Sequence, residues 1–210
     1  MVPLDQNKCK ELICLYLEVK ALALDVEECG EEHKSPLNVL TAYRDALDSI
    51  MSLLASHTGM EKDGSGENIQ ARYIAARGHL RRAFFDLCDL LSLIHREKIE
   101  SIVDSYGTDV VERAIPDYYT KHFPFMLTCS EKIAEHRGTK GVHNVENTNY
   151  ESYVELIKKL SEISKEVQLK KPVLSKLQKS KVMYLILSFI IGVVSTIVAS
   201  IVVQSVFQKL

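Results

Sequence analysis

The chain has 210 residues, 46% of them hydrophobic and 26% charged, with a formal net charge of −2. That length suits a single core-bearing domain, and the lack of a basic excess argues against general nucleic-acid binding. The charge is unevenly placed: residues 158–181 hold eight lysines against Glu162 and Glu166, a local +6. Residues 1–157 carry −9 and Lys209 adds +1.

Five cysteines, Cys9, Cys14, Cys29, Cys88 and Cys129, form no CxxC pair. Their odd number, and the place of most of them on apolar helix faces, are expected of buried, reduced thiols in a reducing compartment. Near the N-terminus, Leu12–Leu24 is apolar, but Glu18 and Lys20 interrupt it and no basic segment precedes it. It does not fit a signal peptide, so the body is expected in the cytosol.

Turn residues divide the body into helices. Asp5 is a candidate cap for a first helix ending at Cys29-Gly30, with Cys9, Leu12, Ile13, Tyr16, Val19, Ala23 and Val26 at helical spacing. Ser35-Pro36 supplies a cap and a proline at the first position of a second helix. Leu40, Tyr43, Leu47, Ile50, Met51 and Leu54 are its expected buried face, and Gly59 stops it.

The stretch GMEKDGSG lacks the ending of a phosphate-binding loop and reads as a connector. From Glu67 to about Tyr106 one period runs unbroken through Ile69, Tyr73, Ala76, Leu80, Phe84, Leu87, Leu91 and Ile94. This predicts one central helix of roughly 40 residues, a coiled-coil-like arm or a spine. Pro116 and Pro124 predict short helices near 109–115 and 117–123 and a longer one near 124–137. A polar loop at 138–149 precedes a helix over 150–170, which Lys171-Pro172 is expected to end. The fold class expected is all-α, a cytosolic helical bundle with antiparallel neighbours.

Val182–Val203 contains no charge over 22 residues. At ~1.5 Å per residue it reaches ~33 Å, enough for a hydrocarbon core of ~30 Å. The expected layout is therefore a cytosolic helical domain over 1–170, a basic juxtamembrane linker over 171–181, a transmembrane helix over 182–204 and a short tail over 205–210. Lys170, Lys171, Lys176, Lys179 and Lys181 before the span, against Lys209 after it, place the N-terminal side in the cytoplasm. They also suit contact with anionic lipid headgroups. Only seven residues follow Val203, so insertion is expected after synthesis ends. Within the span Ser188, Gly192, Thr196 and Ser200 recur every four residues, a small-residue ridge of the kind through which spans associate.

Arg72, Arg77, His79, Arg81 and Arg82 form the densest basic cluster of the body. Arg77, Arg81 and Arg82 are candidates for anion or partner binding, with Asp86 or Asp89 in reach of Arg82; ion-paired residues framing a core face are the simpler account. Arg72 with His79 has the Arg-to-His spacing that resembles the motif of HEPN-type ribonucleases, which are small helical bundles. In that comparison His79 is the base. Arg137 with His143 has the spacing too. Eight arginines and seven histidines give about one such pair by chance, and Tyr73 and Gly138 stand where the motif has a polar residue. The spacing therefore assigns no family.

No HExxH, Cys/His quartet or GxSxG occurs, and no metal or cofactor is expected. Tyr118, Tyr119, Phe123 and Phe125 form an aromatic patch, expected in the core, with a partner groove as the alternative. The layout is similar to that of Bcl-2-like proteins, but their Asn-Trp-Gly-Arg signature is absent and the chain has no tryptophan. The Lys171-Pro172 break argues against a SNARE. Several bacterial defence effectors resemble this arrangement of helical sensor and span. The reading that results is a non-enzymatic membrane protein whose helical domain binds a protein partner or senses a signal, with the span self-associating. A membrane-tethered ribonuclease or nucleotide-binding module using Arg72–Arg82 is the alternative.

Overall fold

The computed structural model describes residues 5–29, 37–58, 60, 66–139 and 150–207. Every regular element among them is helical, and no strand occurs among the described residues. The elements are α1 (Gln6–Cys29), α2 (Leu37–Thr58), α3 (Gly66–Val103), α4 (Thr108–Ala114), a π-helical turn (Tyr118–His122), α5 (Phe123–Thr139) and α6 (Tyr150–Phe207). The protein is all-α. Asp5 caps α1 as its position suggests, its carboxylate accepting from the Asn7 amide at 2.9 Å. Ser35-Pro36 and the polar loop beyond Thr139 lie outside the described residues.

The chain divides into two compact units. One comprises Met1–Lys98 with Met126–Glu162, the other Ile99–Phe125 with Ile163–Leu210.

In the first unit α3 carries the core. Tyr73, Ala76, Leu80, Phe84, Leu87, Leu91 and Ile94 are all buried, and so are Ala83, Phe85, Cys88 and His95, so much of the helix circumference is covered from Ala83 onward. Tyr153 and Phe85 meet edge to face with ring centroids 5.5 Å apart, and the Tyr153 hydroxyl donates to the buried Asp89 carboxylate at 3.0 Å. Asp89 is thus an inward group of the α3–α6 contact, where the sequence suggested a surface partner for Arg82.

Two apolar faces differ from expectation. The buried side of α2 is Val39, Ala42, Ala46 and Leu53, while Leu40, Leu47, Met51 and Leu54 are exposed. On α1, Leu12, Leu15, Val19, Leu22 and Val26 are buried, and Ile13, Tyr16, Leu17 and Leu24 are exposed. Both helices therefore have two apolar stripes, and small side chains on α2 line the inner one. Of the five thiols, Cys88 and Cys129 are buried as expected, but Cys9 and Cys29 are partly accessible and Cys14 is exposed. Burial raises the Cys129 thiol pKa to about 11.

In the second unit Pro116 separates α4 from the π-helical turn, which runs without a break into α5, where Pro124 is the second residue. The aromatic patch divides: Tyr118 is buried edge-on against Tyr119 at 4.9 Å, whereas Phe123 is largely exposed. His122 Nε2 lies 3.4 Å from Glu166 Oε2 of α6.

Lys171-Pro172 does not end a helix. α6 runs 58 residues with Pro172 inside it. The proline removes one backbone donor, the partner of the Gln168 carbonyl, and Gln168 lies on the exposed side, where water can replace it. Val167 and Leu174 flank the proline and are both fully buried, so packing on either side holds the helical path against the local propensity. The Lys171-Pro172 break expected to set the chain apart from a SNARE is therefore absent.

Candidate functional site

The Arg72–Arg82 segment lies on α3, and Arg72 and Arg77 are engaged in different places. Arg72 is half-buried, and its Nη1 donates to the Ser52 carbonyl and to Ser56 Oγ of α2, both at 2.6 Å. Arg77 Nε lies 2.5 Å from Glu11 Oε1 of α1, an ionic contact without hydrogen-bond alignment. Arg81 and His79 are half-buried and Arg82 is exposed. Arg72 and His79 are seven positions apart, about 10 Å along the axis of one helix, and Arg72 is already bound to α2. The side chains of Arg137 and His143 lie outside the described residues.

What this segment builds is a polar seam along α1 and α3. Glu11 accepts from the Tyr73 hydroxyl through one carboxylate oxygen and faces Arg77 with the other. Lys8 donates to Gln70 Oε1 at 2.5 Å and lies 5.4 Å from the Tyr73 ring centroid. A carboxylate between a phenol and a guanidinium orients both and leaves no open acid–base pair. Its chemistry is that of a helix-to-helix tie. Burial, then the Glu11 hydrogen bond, raises the Tyr73 pKa to about 12. Another buffered polar contact joins α3 to α5, where Arg96 Nη1 donates to Ser130 Oγ. No group of three or more His, Cys, Asp or Glu side chains fit to hold a metal occurs among the described residues.

The second region of interest is the junction of α4 with α6. Lys181, the last lysine before the apolar segment, donates to Asp109 Oδ1 at 2.6 Å. That hydrogen bond, with the nearby Arg113 as a lesser influence, holds the Asp109 carboxyl below its ordinary range. Gly107 allows the closeness: a Cβ there would lie 3.0 Å from Asp109 Oδ1 and 3.5 Å from Lys181 Nζ. Beside this clasp is an open groove of about 250 Å³. Val110 and Arg113 of α4 line one side, and Leu177, Tyr184, Leu185 and Ser188 of α6 the other. Lys171, Lys176 and Lys179 are exposed on the same helix and Lys170 is half-buried.

From Val182 to Ile201 every side chain is exposed. This C-terminal helix is long and apolar enough to cross a membrane. The ridge residues Ser188, Gly192, Thr196 and Ser200 are exposed with it, and no atom lies within 4 Å of a Cβ placed at Gly192. Thr196 Oγ1 donates to the Gly192 carbonyl of its own helix at 2.9 Å, so its proton is used internally.

The sequence did not disclose the Glu11–Tyr73–Arg77 seam or the Lys181–Asp109 clasp. Each joins residues more than sixty positions apart, and the only local hint was a carboxylate or cation at the edge of an apolar stripe.

Three tyrosines report on these contacts by titration. Burial, the largest cause in each, raises Tyr43, Tyr73 and Tyr118 to about 12 from an ordinary 10.0. Since the fold holds these protons more tightly than the unfolded chain, their contribution to stability is intact below pH 10 and is lost as pH rises from 10 towards 12. Tyrosinate absorbance should show a late-titrating class near pH 12 together with alkaline unfolding. Glu11→Gln should advance part of that class; a titration unchanged by the substitution would show that Glu11 does not act on Tyr73. In comparisons with known proteins, no family model, no curated protein and no solved structure matches this chain.

Proposed function

We propose that this chain is a single-pass membrane protein, anchored by the apolar part of α6, whose helical bundle lies in the cytoplasm and binds a protein partner. The observation that carries the reading is the charge-free stretch from Val182 to Ile201, exposed on every side. An all-round apolar helix is stable when something apolar surrounds it. Lysines at 170, 171, 176, 179 and 181 favour the cytoplasmic side for the N-terminal part. No reaction is assigned: Arg72 and Arg77 are occupied in joining α3 to α2 and α1.

Partner binding rests on the outer stripes of α1 and α2. Ile13, Leu17 and Leu24 are 50–58% exposed, and Leu40, Leu47 and Met51 are 53–57% exposed. Scattered exposed leucines are ordinary, but two helices each repeating them at helical spacing suit an interaction surface. Within the membrane, the Ser188–Ser200 ridge suits close approach of a second copy.

Anchoring is tested by alkaline carbonate extraction of membranes from cells expressing the full chain. Retention in the pellet with release by detergent is expected, and release by carbonate alone would overturn the anchor. For the outer stripes, Leu17→Glu with Leu47→Glu should keep native helicity by circular dichroism yet abolish cross-linked adducts of the full chain in membranes. Adducts that persist unchanged would exclude these stripes as the binding surface. Gly192→Ile should lower the signal of a membrane dimerisation assay severalfold; an undiminished signal would rule out contact through the ridge.

A further inference from the structure

We infer that the groove between α4 and α6 is a binding site for one anionic phospholipid, its phosphate held by Arg113 and Lys181 and an acyl chain lying along Leu185 and Ser188. The inference rests on the membrane reading above and goes beyond it, because general lysine attraction to a charged surface requires no groove and no arginine on α4.

The site is defined by depth and by charge. α6 passes from charged to apolar composition at Lys181–Val182, and the groove straddles that boundary: Leu177, Ser180 and Lys181 lie before it, and Tyr184, Leu185 and Ser188 lie one and two turns beyond. With Val182–Val203 in the bilayer, Lys181 is at the headgroup level and Tyr184 is at the interface, where tyrosine's apolar ring and polar tip are both accommodated. The α4 residues that face this level, Val110 and Arg113, are then interfacial as well.

The groove contains Arg113, Lys181 and Asp109. Asp109 neutralises one cation and leaves a net charge of +1. It also has a positional role. By accepting from Lys181 Nζ at 2.6 Å it holds the ammonium against α4, where an unrestrained lysine would extend freely along the surface. Lys181 retains two further N–H donors, and the planar Arg113 guanidinium offers the paired donors that phosphate oxygens accept. The apolar wall of Val110, Leu177 and Leu185 provides contact for a chain and none for a freely soluble ion. A ligand that matches both halves has a phosphate at one end and hydrocarbon at the other. Arg113 is exposed on α4, so replacing it leaves the core intact.

The test uses the full chain in detergent micelles, with native mass spectrometry in the presence of phosphatidylglycerol or of phosphatidylcholine with the same acyl chains. A one-to-one adduct favouring phosphatidylglycerol is expected. Arg113→Gln should reduce that preference about fivefold, the effect of one basic residue near an anionic lipid. Lys176→Gln, which removes an equal charge outside the groove, should leave it unchanged. Equal adducts with both lipids, or equal losses from the two substitutions, would overturn the site. Displacement of phosphatidylglycerol by soluble glycerol 3-phosphate would assign the groove to a free organophosphate and overturn the lipid. Carbonate extraction separates the two levels: a chain that stays in the membrane without lipid preference refutes this site alone, whereas a chain released by carbonate refutes the anchor and the site together.

Discussion

Packing at Val167 and Leu174 is the constraint on which the course of α6 depends. These two side chains, fully buried on either side of Pro172, keep the backbone helical where its own chemistry favours a break. A proline inside a helix costs roughly 3 kcal/mol relative to alanine, comparable with the gain from burying one or two aliphatic side chains. The balance is therefore close, and it is decided by tertiary contact. Because the helix persists, Lys181 meets Asp109 in a fixed register, and the apolar segment begins one residue later.

Legibility in the sequence followed the number of apolar stripes on each helix. On α3 a single period runs through the apolar positions, so spacing alone identified Tyr73, Leu80, Phe84, Leu87 and Leu91 as core residues. α1 and α2 each have two. Hydropathy cannot rank two stripes of similar character, and on α2 the larger residues Leu40, Leu47 and Met51 pointed to the wrong one. Alanines at 42 and 46 won the interior because small side chains let helix axes approach closely. The Pro172 break failed for a related reason: propensity is a local property, and the packing that overrode it is not.

The polar contacts illustrate a second limit. An arginine cluster on one helix suggests an anion site when viewed alone. In the fold Arg72 turns to Ser52 and Ser56 on α2 and Arg77 turns to Glu11 on α1, so these two arginines serve cohesion between helices. The Asp109–Lys181 pair presents the reverse case. Lys181 reads in sequence only as one of five lysines before the apolar segment and Asp109 carries no signal of its own, yet together with Arg113 they line a groove where that segment begins.

The clasp also has a consequence for biosynthesis. Asp109 and Lys181 are 72 positions apart, so at ribosomal rates of roughly 5–20 residues per second the carboxylate waits about 4–14 s for its partner to be made. The second unit is discontinuous in the same sense, since α4 and the π-helical turn emerge well before the part of α6 that completes it. Val110, buried in the finished protein, lines a groove with Leu177 and Tyr184, which are made only at the end of that interval. Nascent chains of this protein therefore carry Asp109 through that interval without the cation that clasps it in the finished fold.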